Sequence, residues 1–396
     1  MVVGIVTSFP PSKVTLNEYG YHLVKNFASN IRISKVIVFC DKTEERKKLD
    51  FPYADKVVIE ECWKFNSYKS LFTISKSIQK YNLDEVLFNL QFMKFGDKKV
   101  VAALGLFTPV LSRVFGVNTT VLTHNILETV NLKSAGFTSN KIVREIYSVV
   151  GYGLTKLLLC ANKVVVTMPK YKRILEMKYK AKNVEVIPHG TFETPKKLFV
   201  NKNNNTKRIL AFGKFGTYKK VEGLIEAVEL VRKRIKADIE IVIAGTNNPN
   251  TPTYLEKVQK KYKNVKKLSF TGYVKEEDVQ SVFGNSDIVV FPYTSTTGSS
   301  GVLHQAGSYG KAVILPNIGD LKELIKDEGY RGVFFDPNSV ESLADSIIDL
   351  VTHKRKIKML GKINYIAANA FPMYKICEMY VSLFNQKRLL PKLKYS

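Results

Sequence analysis

The sequence has 396 residues, 45% of them hydrophobic, which is enough for two domains with their own cores and excludes a largely disordered chain. Its 61 basic residues outnumber 35 acidic ones and give a formal charge of +26, which favours anionic partners: nucleic acid, an acidic lipid surface or a phosphorylated substrate. Four scattered cysteines, without a CxxC pair or a histidine at metal-ligand spacing, indicate reduced thiols in an intracellular protein.

The first half of the chain alternates short apolar strands with helical segments. No signal-peptide pattern opens it, since residues 1–6 are typical of a buried first strand. Alternation of this kind is typical of a parallel α/β sheet covered on both faces. Strands are predicted at residues 2–7, 35–40, 56–59, 85–89, 119–123, 163–167 and 184–187. Helices are predicted at residues 17–27, 68–78, 98–115, 140–160 and 171–178.

The lysine- and asparagine-rich stretch 196–207 interrupts this alternation and is predicted to be a linker, with a domain boundary near residue 200. Beyond it the alternation restarts. Apolar residues at a 3.6-residue period predict one helix between the first two strands of this half and another at 340–351. Strands are predicted at residues 208–212, 239–244, 268–271, 288–291, 312–315 and 333–335.

Residues 287–314 carry a strand, a polar loop, a helix and a second strand in succession. The loop contains Gly298, Ser299, Ser300 and Gly301. Free backbone N–H groups and the helix dipole at such an N-terminus attract anions, and glycine lets the backbone approach a phosphate closely. An ordinary turn is the alternative interpretation, because glycine and serine are common in turns.

Open α/β sheets bind ligands beyond the carboxyl ends of their strands, so two such domains facing each other would form a cleft there. The second half of the chain resembles the retaining glycosyltransferases of family 4, whose GT-B architecture consists of two facing Rossmann-like domains with a cleft between them. The resemblance covers about residues 208–352 and rests on several motifs in the family's order and spacing. These motifs are Gly213-Lys214, the segment from Tyr218-Lys219-Lys220 to Ala227, Ala244-Gly245, Thr271-Gly272-Tyr273-Val274 and the segment from Ala306-Gly307 to Val313-Ile314.

The resemblance implies a retaining, metal-independent transfer of a hexose of the mannose or glucose type from a nucleotide-sugar to a glycan or lipid-linked acceptor. No cofactor beyond the nucleotide-sugar is expected and no metal, and the sequence contains no DxD pattern. Lys214 and Lys219 are the predicted catalytic cations, which would neutralise the diphosphate as charge grows on the leaving group. Lys214 stands where the family has arginine and lacks the bidentate geometry of a guanidinium.

The resemblance also implies a set of donor contacts, with one departure from the family. The family usually carries two glutamates eight positions apart, and this chain has Thr297 and Gln305 there. Both side chains can hydrogen-bond sugar or ribose hydroxyls, but neither carries a carboxylate's charge. The choice of sugar therefore stays open, and a lost activity is the alternative. The predicted donor-binding residues are Gly213, Gly245, Val274, Thr297, Gly298, Ser299, Ser300, Gly301 and Gln305.

The first half supplies the predicted acceptor side. His124 follows a predicted strand, where the family has a histidine that faces the donor sugar and the acceptor. A neutral imidazole there would bind a hydroxyl or help its proton leave, and a histidine satisfied in the core is the alternative. The other predicted acceptor-side residues are Ser8, Glu18, Asn125 and His189, and His189 is interpreted as a structural hinge more than a catalytic group.

Two apolar segments, residues 100–117 and 147–161, contain or adjoin basic residues, and Pro109 interrupts the first. Neither is a clean membrane span, and core helices are the simplest interpretation. On a chain of charge +26 these segments also fit docking on an anionic membrane surface. We therefore expect a cytoplasmic enzyme that is peripheral on the inner face of the membrane.

The resemblance finally divides the chain into three parts. Residues 1–200 would form an acceptor-side Rossmann-like domain and 201–371 a donor-binding domain. Residues 372–396 would form a helix that crosses back to the first domain, followed by an exposed basic tail at 387–394.

Three other functions stay open at this point. A sugar-nucleotide epimerase and a glycan phosphorylase are possible on the same fold, because fold does not fix function. A non-catalytic nucleic-acid-binding protein is suggested by the isoelectric point of about 9.7. No helix-turn-helix, zinc or RNP signature supports it, so nucleic acid is not an expected partner.

Overall fold

A computed structural model describes residues 1–12, 14–44, 49–129, 141–192, 195, 206–295 and 298–386. They form two compact units. The N-terminal unit holds the described residues of Met1–Thr129, Lys141–Phe192 and Met373–Ser396, and the C-terminal unit holds those of Glu193–Pro372. Most of the predicted linker at 196–207, the basic tail at 387–394 and Thr297 lie outside the described residues.

The N-terminal unit is built on a seven-stranded sheet in which neighbouring strands are parallel. Its strands are β1 (Val2–Val6), β2 (Lys35–Asp41), β3 (Val57–Trp63), β4 (Glu85–Leu90), β5 (Thr119–Thr123), β6 (Lys163–Val166) and β7 (Val184–Val186). They lie in the order β3-β2-β1-β4-β5-β6-β7. Every residue of β4 and of β5 is buried, so both faces of the sheet are covered at its centre.

Helices connect these strands, and one prediction about them is wrong. The single helix predicted at 98–115 is two short helices. Pro109 lies in the first turn of the second one, where the missing N–H is tolerated but a preceding helix cannot continue through the ring. A side chain at Gly105, the last residue of the first one, would overlap the Phe95 ring. The helices of this part are α1 (Asn17–Ser29), α2 (Ser70–Ile78), α3 (Lys99–Gly105), α4 (Thr108–Val114), α5 (Lys141–Leu158) and α6 (Pro169–Tyr179).

The C-terminal unit repeats the plan with six parallel strands. They are β8 (Lys207–Phe215), β9 (Ile239–Asn247), β10 (Leu268–Gly272), β11 (Ile288–Val290), β12 (Ala312–Pro316) and β13 (Val333–Phe335), in the order β10-β9-β8-β11-β12-β13. Its helices are α7 (Glu222–Ile235), α8 (Tyr254–Lys261), α9 (Glu276–Gly284), α10 (Gly301–Ser308), α11 (Gly319–Glu328), α12 (Val340–Thr352) and α13 (Lys354–Ala370). The predicted strand, loop, helix and strand at 287–314 are β11, α10 and β12, confirmed to within a residue or two at their ends.

The two sheets share one strand order, and the predicted fold class of two Rossmann-like α/β halves is confirmed. In each sheet the first strand of the unit lies at the centre, and the chain winds outward first on one side and then on the other. The direction of winding reverses between β1 and β4 and between β8 and β11. Ligands of open α/β sheets bind beyond the carboxyl ends of the strands at such a point. The loops after these four strands are therefore the expected positions of a binding site.

The last helix, α14 (Met373–Asn385), packs on α1 within the N-terminal unit. Phe27 of α1 meets the rings of Tyr380 and Phe384, each with its centroid 6.1 Å away. Asn30, which follows α1, donates a 2.6 Å hydrogen bond to Glu378. The final helix thereby becomes part of the N-terminal core.

Among the helices of the described residues, none has the length and apolar character needed to cross a membrane.

Candidate active site

Two glycines pair side by side where β8 and β9 end. Gly213 and Gly245 are in register, with φ of +137° and +134°. A side chain on Gly245 would overlap the carbonyl oxygen of Gly213, and one on Gly213 would come within 3.3 Å of the Lys219 ammonium. Only glycine suits both positions. Backbone without side chains therefore lies where β8 and β9 end, next to the Lys219 ammonium.

Lys219 joins the loop after β8 to the loop after β11. Its backbone forms an antiparallel bridge with Tyr293, and its ammonium lies 4.5 Å from the centre of the Tyr293 ring. Its carbonyl accepts a 2.9 Å hydrogen bond from the N–H of Gly216. An ammonium over an aromatic face is attracted by the ring's electrons, which helps to hold Lys219 in place. Lys214, near the end of β8, is exposed.

The loop before α10 presents backbone and small side chains. Gly298, with φ of +80°, donates its N–H to a carboxylate oxygen of the buried Asp320 at 3.2 Å. Ser300 caps α10 by accepting from the N–H of Leu303 at 3.3 Å. The hydroxyl oxygen of Ser299 is buried and has no hydrogen-bond partner among the described residues. Gly301 is the first residue of α10, so the positive end of the helix dipole opens at this loop.

Two further predicted donor contacts lie on α10 and in the loop after β10. Gln305 lies half-buried on α10, and its backbone carbonyl accepts from the N–H of Tyr309. Val274 is half-buried in the loop after β10, beside Tyr273, which is 77% exposed. An exposed aromatic ring is available there to a nucleobase. Thr297, the remaining prediction, is among the residues that the structure does not describe.

His304 lies on the buried face of α10. Its Nδ1 lies 2.9 Å from the Tyr330 hydroxyl and 3.5 Å from the Glu328 carboxyl group. Burial, with a smaller contribution from Asp327, raises the pKa of Glu328 to about 8, so this carboxyl group is mostly protonated at neutral pH. His304 therefore belongs to the core.

In the N-terminal unit, a chain of hydrogen bonds fixes His124 at the end of β5. The Thr7 hydroxyl donates to the Ser8 carbonyl at 3.0 Å and accepts from the Asn89 amide nitrogen at 2.9 Å. The Asn89 amide oxygen therefore faces Nε2 of His124, 2.7 Å away. An amide oxygen only accepts, so we assign the ring proton to Nε2, which leaves Nδ1 as an acceptor.

Burial also decides the charge of this histidine. Desolvation, together with nearby His189 and Lys94, holds the pKa of His124 well below its usual value. The ring packs edge-on against Tyr19, with centroids 4.5 Å apart. His189 packs on the same tyrosine at 4.7 Å, and burial lowers the pKa of its imidazole to about 4. Both imidazoles are therefore neutral at physiological pH.

Ser8 is held inside the loop after β1. Its hydroxyl donates to the Thr15 carbonyl at 2.6 Å and accepts from the ammonium of Lys94. Lys94 is completely buried and donates a second bond, 2.7 Å long, to the Thr15 carbonyl. Burial lowers the pKa of Lys94 to about 7, against an opposing effect of Asp41. Ser8 thus shapes the loop, and its hydroxyl is committed to that role.

Two other acceptor-side predictions lie nearby. Asn125 follows His124 directly, and its amide oxygen is buried without a hydrogen-bond partner among the described residues. Glu18 is half-buried in the first turn of α1, where the helix dipole favours a carboxylate. Both side chains belong to the same end of the N-terminal sheet as His124.

Four functional candidates were missed by sequence reasoning. Asn89 and Lys94 orient His124 and the loop after β1, Asp41 accepts from the N–H of Phe9, and Asp320 holds Gly298. For Asn89 and Asp41 a signal existed, since each is a polar residue at the carboxyl end of a strand. Lys94 and Asp320 offered none, because their partners come from distant parts of the chain.

Comparison with known proteins finds a family model similar to the second half of the chain. Residues 193–367 match the family model described as glycosyl transferases group 1. An uncharacterized glycosyltransferase of Methanocaldococcus jannaschii is 28% identical over 189 residues, which is 47% of this chain and 46% of that protein. The matched stretches span half or less of the length of the curated relatives.

Solved structures match over nearly the whole chain. Sucrose-phosphate synthase from Thermosynechococcus elongatus has a TM-score of 0.75 at 17% identity and covers 98% of this chain and 99% of its own. The Anabaena protein HepE, crystallised with UDP-glucose, has a TM-score of 0.66 at 15% identity and covers 97% and 99%. At these identities the likeness concerns the fold alone, and that fold is the GT-B architecture. The likeness to the group 1 glycosyltransferases rests on residues 193–367, less than half of the chain.

Proposed function

We propose that this protein is a retaining, metal-independent glycosyltransferase. It would move a hexose of the mannose or glucose type from a nucleotide-sugar to a glycan or lipid-linked acceptor. The observation that carries the proposal is the pair Gly213 and Gly245 at the ends of β8 and β9, with the Lys219 ammonium close to Gly213. The pair adjoins the point between β8 and β11 where the winding of the C-terminal sheet reverses. The family match and the UDP-glucose complex of HepE support a nucleotide-sugar as the donor.

The donor diphosphate would bind where backbone and cations converge. Gly213 and Gly245 let phosphate oxygens approach the main chain, and Lys219 and Lys214 supply positive charge. The N-terminus of α10 adds the helix dipole. Charge on the leaving diphosphate grows as its bond to the sugar breaks, so cations fixed beforehand stabilise the transition state more than the ground state.

The acceptor hydroxyl would attack the anomeric carbon from the face that the diphosphate leaves. A new bond forms between the hydroxyl oxygen and that carbon, the bond to the phosphate oxygen breaks, and the hydroxyl proton passes to the leaving phosphate. His124 would contribute Nδ1 as a neutral hydrogen-bond acceptor for a hydroxyl of the sugar or the acceptor. A neutral ring is suited to this because a charged imidazolium has no acceptor nitrogen.

Gln305 would take the place of a carboxylate at the donor sugar or ribose. Its amide offers both a donor and an acceptor, so it can bind one hydroxyl through either atom. The buried Asp320 carboxylate accepts from the N–H of Gly298 and would hold the loop before α10 in place. We further propose a cytoplasmic enzyme that works at the inner face of the membrane.

Ligand-induced thermal shifts test the donor site. The wild type is scanned with GDP, UDP, ADP and their sugars, beside Lys214→Ala, Lys219→Ala and the exposed control Lys220→Ala. A ligand at a hundred times its dissociation constant stabilises a fold by about 2.7 kcal/mol. We expect one nucleotide to shift the wild type and the control, and both site variants to lose most of that shift.

Two outcomes would contradict the proposal. If no nucleotide shifts the wild type, Thr297 and Gln305 would mark a lost donor site. If Lys220→Ala loses the shift as fully as Lys219→Ala, the lysines act as a diffuse field and not as a built site. With a donor identified, activity in EDTA and the anomeric configuration of the product test metal independence and retention.

A further inference from the structure

Four consecutive helices of the N-terminal unit form one outer layer. Parallel crossover connections are right-handed, and β3 to β4, β4 to β5 and β5 to β6 all step the same way across the sheet, so α2 to α5 lie on one face. The Lys99 ammonium bonds the Tyr147 hydroxyl and joins α3 to α5. Arg113 of α4 donates to the Cys160 carbonyl just beyond α5. These four helices are called the outer helical layer below.

The outer helical layer exposes large apolar side chains. Half of the large hydrophobic residues that are exposed in the described part of the chain lie between positions 68 and 152. Scattered exposed hydrophobics are ordinary, but a concentration on adjoining helices marks an interaction surface. Its most exposed members are Val114 at 72%, Val149 at 71%, Phe72 at 69% and Val100 at 62%, with Phe115 and Phe107 beside them.

The same layer is positively charged. Basic side chains accompany the apolar ones on every helix, whereas the exposed acidic residues of these segments are Asp97 and Glu145. The exposed basic residues are Lys69 just before α2, Lys76 on α2, Lys98 and Lys99 at the start of α3, Arg113 on α4 and Lys156 on α5. Apolar side chains surrounded by lysine and arginine suit a surface that is hydrocarbon beneath and anionic above.

We propose that the outer helical layer docks onto an anionic lipid bilayer, with its helices lying in the interface. Its helices are too short or too polar to span a membrane, so the expected mode is peripheral. Valine and phenylalanine would enter the headgroup boundary, and the lysines would meet lipid phosphates. Charge argues against a second copy of this chain as the occupant, because a partner of charge +26 would bring the same positive layer.

Vesicle sedimentation tests the docking surface with two designed variants. Val114→Ser with Phe115→Ser removes exposed apolar groups from the end of α4. Lys69→Glu with Lys98→Glu reverses charge at two helix N-termini, where a carboxylate is compatible with the helix dipole. The matched controls are Met359→Ser with Ile366→Ser, exposed on α13, and Lys257→Glu with Lys260→Glu, exposed on α8.

The probes are vesicles of phosphatidylcholine, with and without phosphatidylserine, at low and high salt. We expect the wild type and both controls to sediment with the anionic vesicles, less at high salt. Each layer variant should lower the partition coefficient by about tenfold or more, which is the size expected from losing two buried side chains or two lysine contacts. Nucleotide-induced thermal shifts, measured on the same proteins, check that the C-terminal unit still folds and binds.

Several results would overturn the assignment. It fails if the wild type does not sediment with anionic vesicles at low salt, or if the control variants lose vesicle binding as fully as the layer variants. A concentration-dependent dimer in light scattering, abolished by Val114→Ser with Phe115→Ser, would assign the surface to a second copy instead. Loss of nucleotide binding with intact vesicle binding would count against the proposed transferase and leave the docking surface standing.

Discussion

In each sheet, the carboxyl ends of the parallel strands form one edge. These two edges occupy equivalent positions in their units and have opposite chemistry. At the carboxyl ends of the N-terminal strands, the important groups are buried side chains held by hydrogen bonds, and the imidazoles of His124 and His189 are neutral. At the carboxyl ends of the C-terminal strands, they are bare backbone on β8 and β9, the N-terminus of α10 and cations. One strand order therefore supports an edge suited to neutral hydroxyls and another suited to an anion.

Two lysines make the difference concrete. Lys94 is completely buried, and desolvation lowers its pKa to about 7, so its proton is only half retained at neutral pH. Lys219 lies partly exposed, with its ammonium 4.5 Å from the centre of the Tyr293 ring. The same residue type serves as a loop anchor in one unit and as a source of charge in the other.

The largest expected effect comes from filling the bare backbone of the C-terminal edge with Gly245→Ala. The new methyl group would overlap the Gly213 carbonyl, and the φ of +134° disfavours any side chain. We expect a loss of roughly 3 kcal/mol or more in the free energy of unfolding, measured with urea, together with loss of the nucleotide shift.

Gly223→Ala is the matched control for that variant. Gly223 lies in α7, and a methyl group there meets nothing within 4 Å, so stability should stay level or rise by up to about 1 kcal/mol. If Gly245→Ala unfolds at the same urea concentration as the wild type and keeps its nucleotide shift, the glycine pair is not the constraint that defines this edge.

The next effect concerns the N-terminal edge and pH. In the folded state the pKa of Lys94 falls from 10.5 to about 7, so between these values the unfolded chain binds a proton that the folded chain does not. Wild-type stability therefore gains up to about 1.4 kcal/mol per pH unit across this window from Lys94. Lys94→Met lacks that gain, while Ser8 can still donate to the Thr15 carbonyl.

Urea unfolding between pH 7 and 9 measures this contribution of Lys94 to the pH dependence of stability. The stability of Lys94→Met relative to wild type should be most favourable near pH 7 and should decline as the pH rises. Lys76→Met, exposed on α2, should run parallel to the wild type throughout. Parallel curves for Lys94→Met as well would mean that Asp41 keeps the buried lysine charged.

These two edges also show how far sequence reaches. The glycines and lysines of the C-terminal edge are close together in the chain or belong to recurring motifs, and the alternation of strands and helices predicted the two α/β halves. Lys94 could not be selected among 61 basic residues, because only tertiary folding distinguishes the one that is buried. The split between α3 and α4 had a signal in Pro109, but the long apolar run favoured a single helix.

The smallest effect tests whether a buried side chain also orders the C-terminal edge, as buried side chains do at the N-terminal edge. Asp320 is buried in the first turn of α11 and accepts from the N–H of Gly298, just before α10. Asp320→Asn keeps the size and one acceptor oxygen but removes the charge, both for that hydrogen bond and for the α11 dipole. We expect a loss of about 1 kcal/mol in the free energy of unfolding.

If Asp320 also positions the loop for the donor, the donor KM should rise with little change in kcat, because the loop would be misplaced before the reaction and not during it. Asp327→Asn, exposed on the same helix, is the control. Equal, small losses of stability with an unchanged donor KM would make Asp320 a helix-capping group alone, and the C-terminal edge would then owe its chemistry to backbone and lysine.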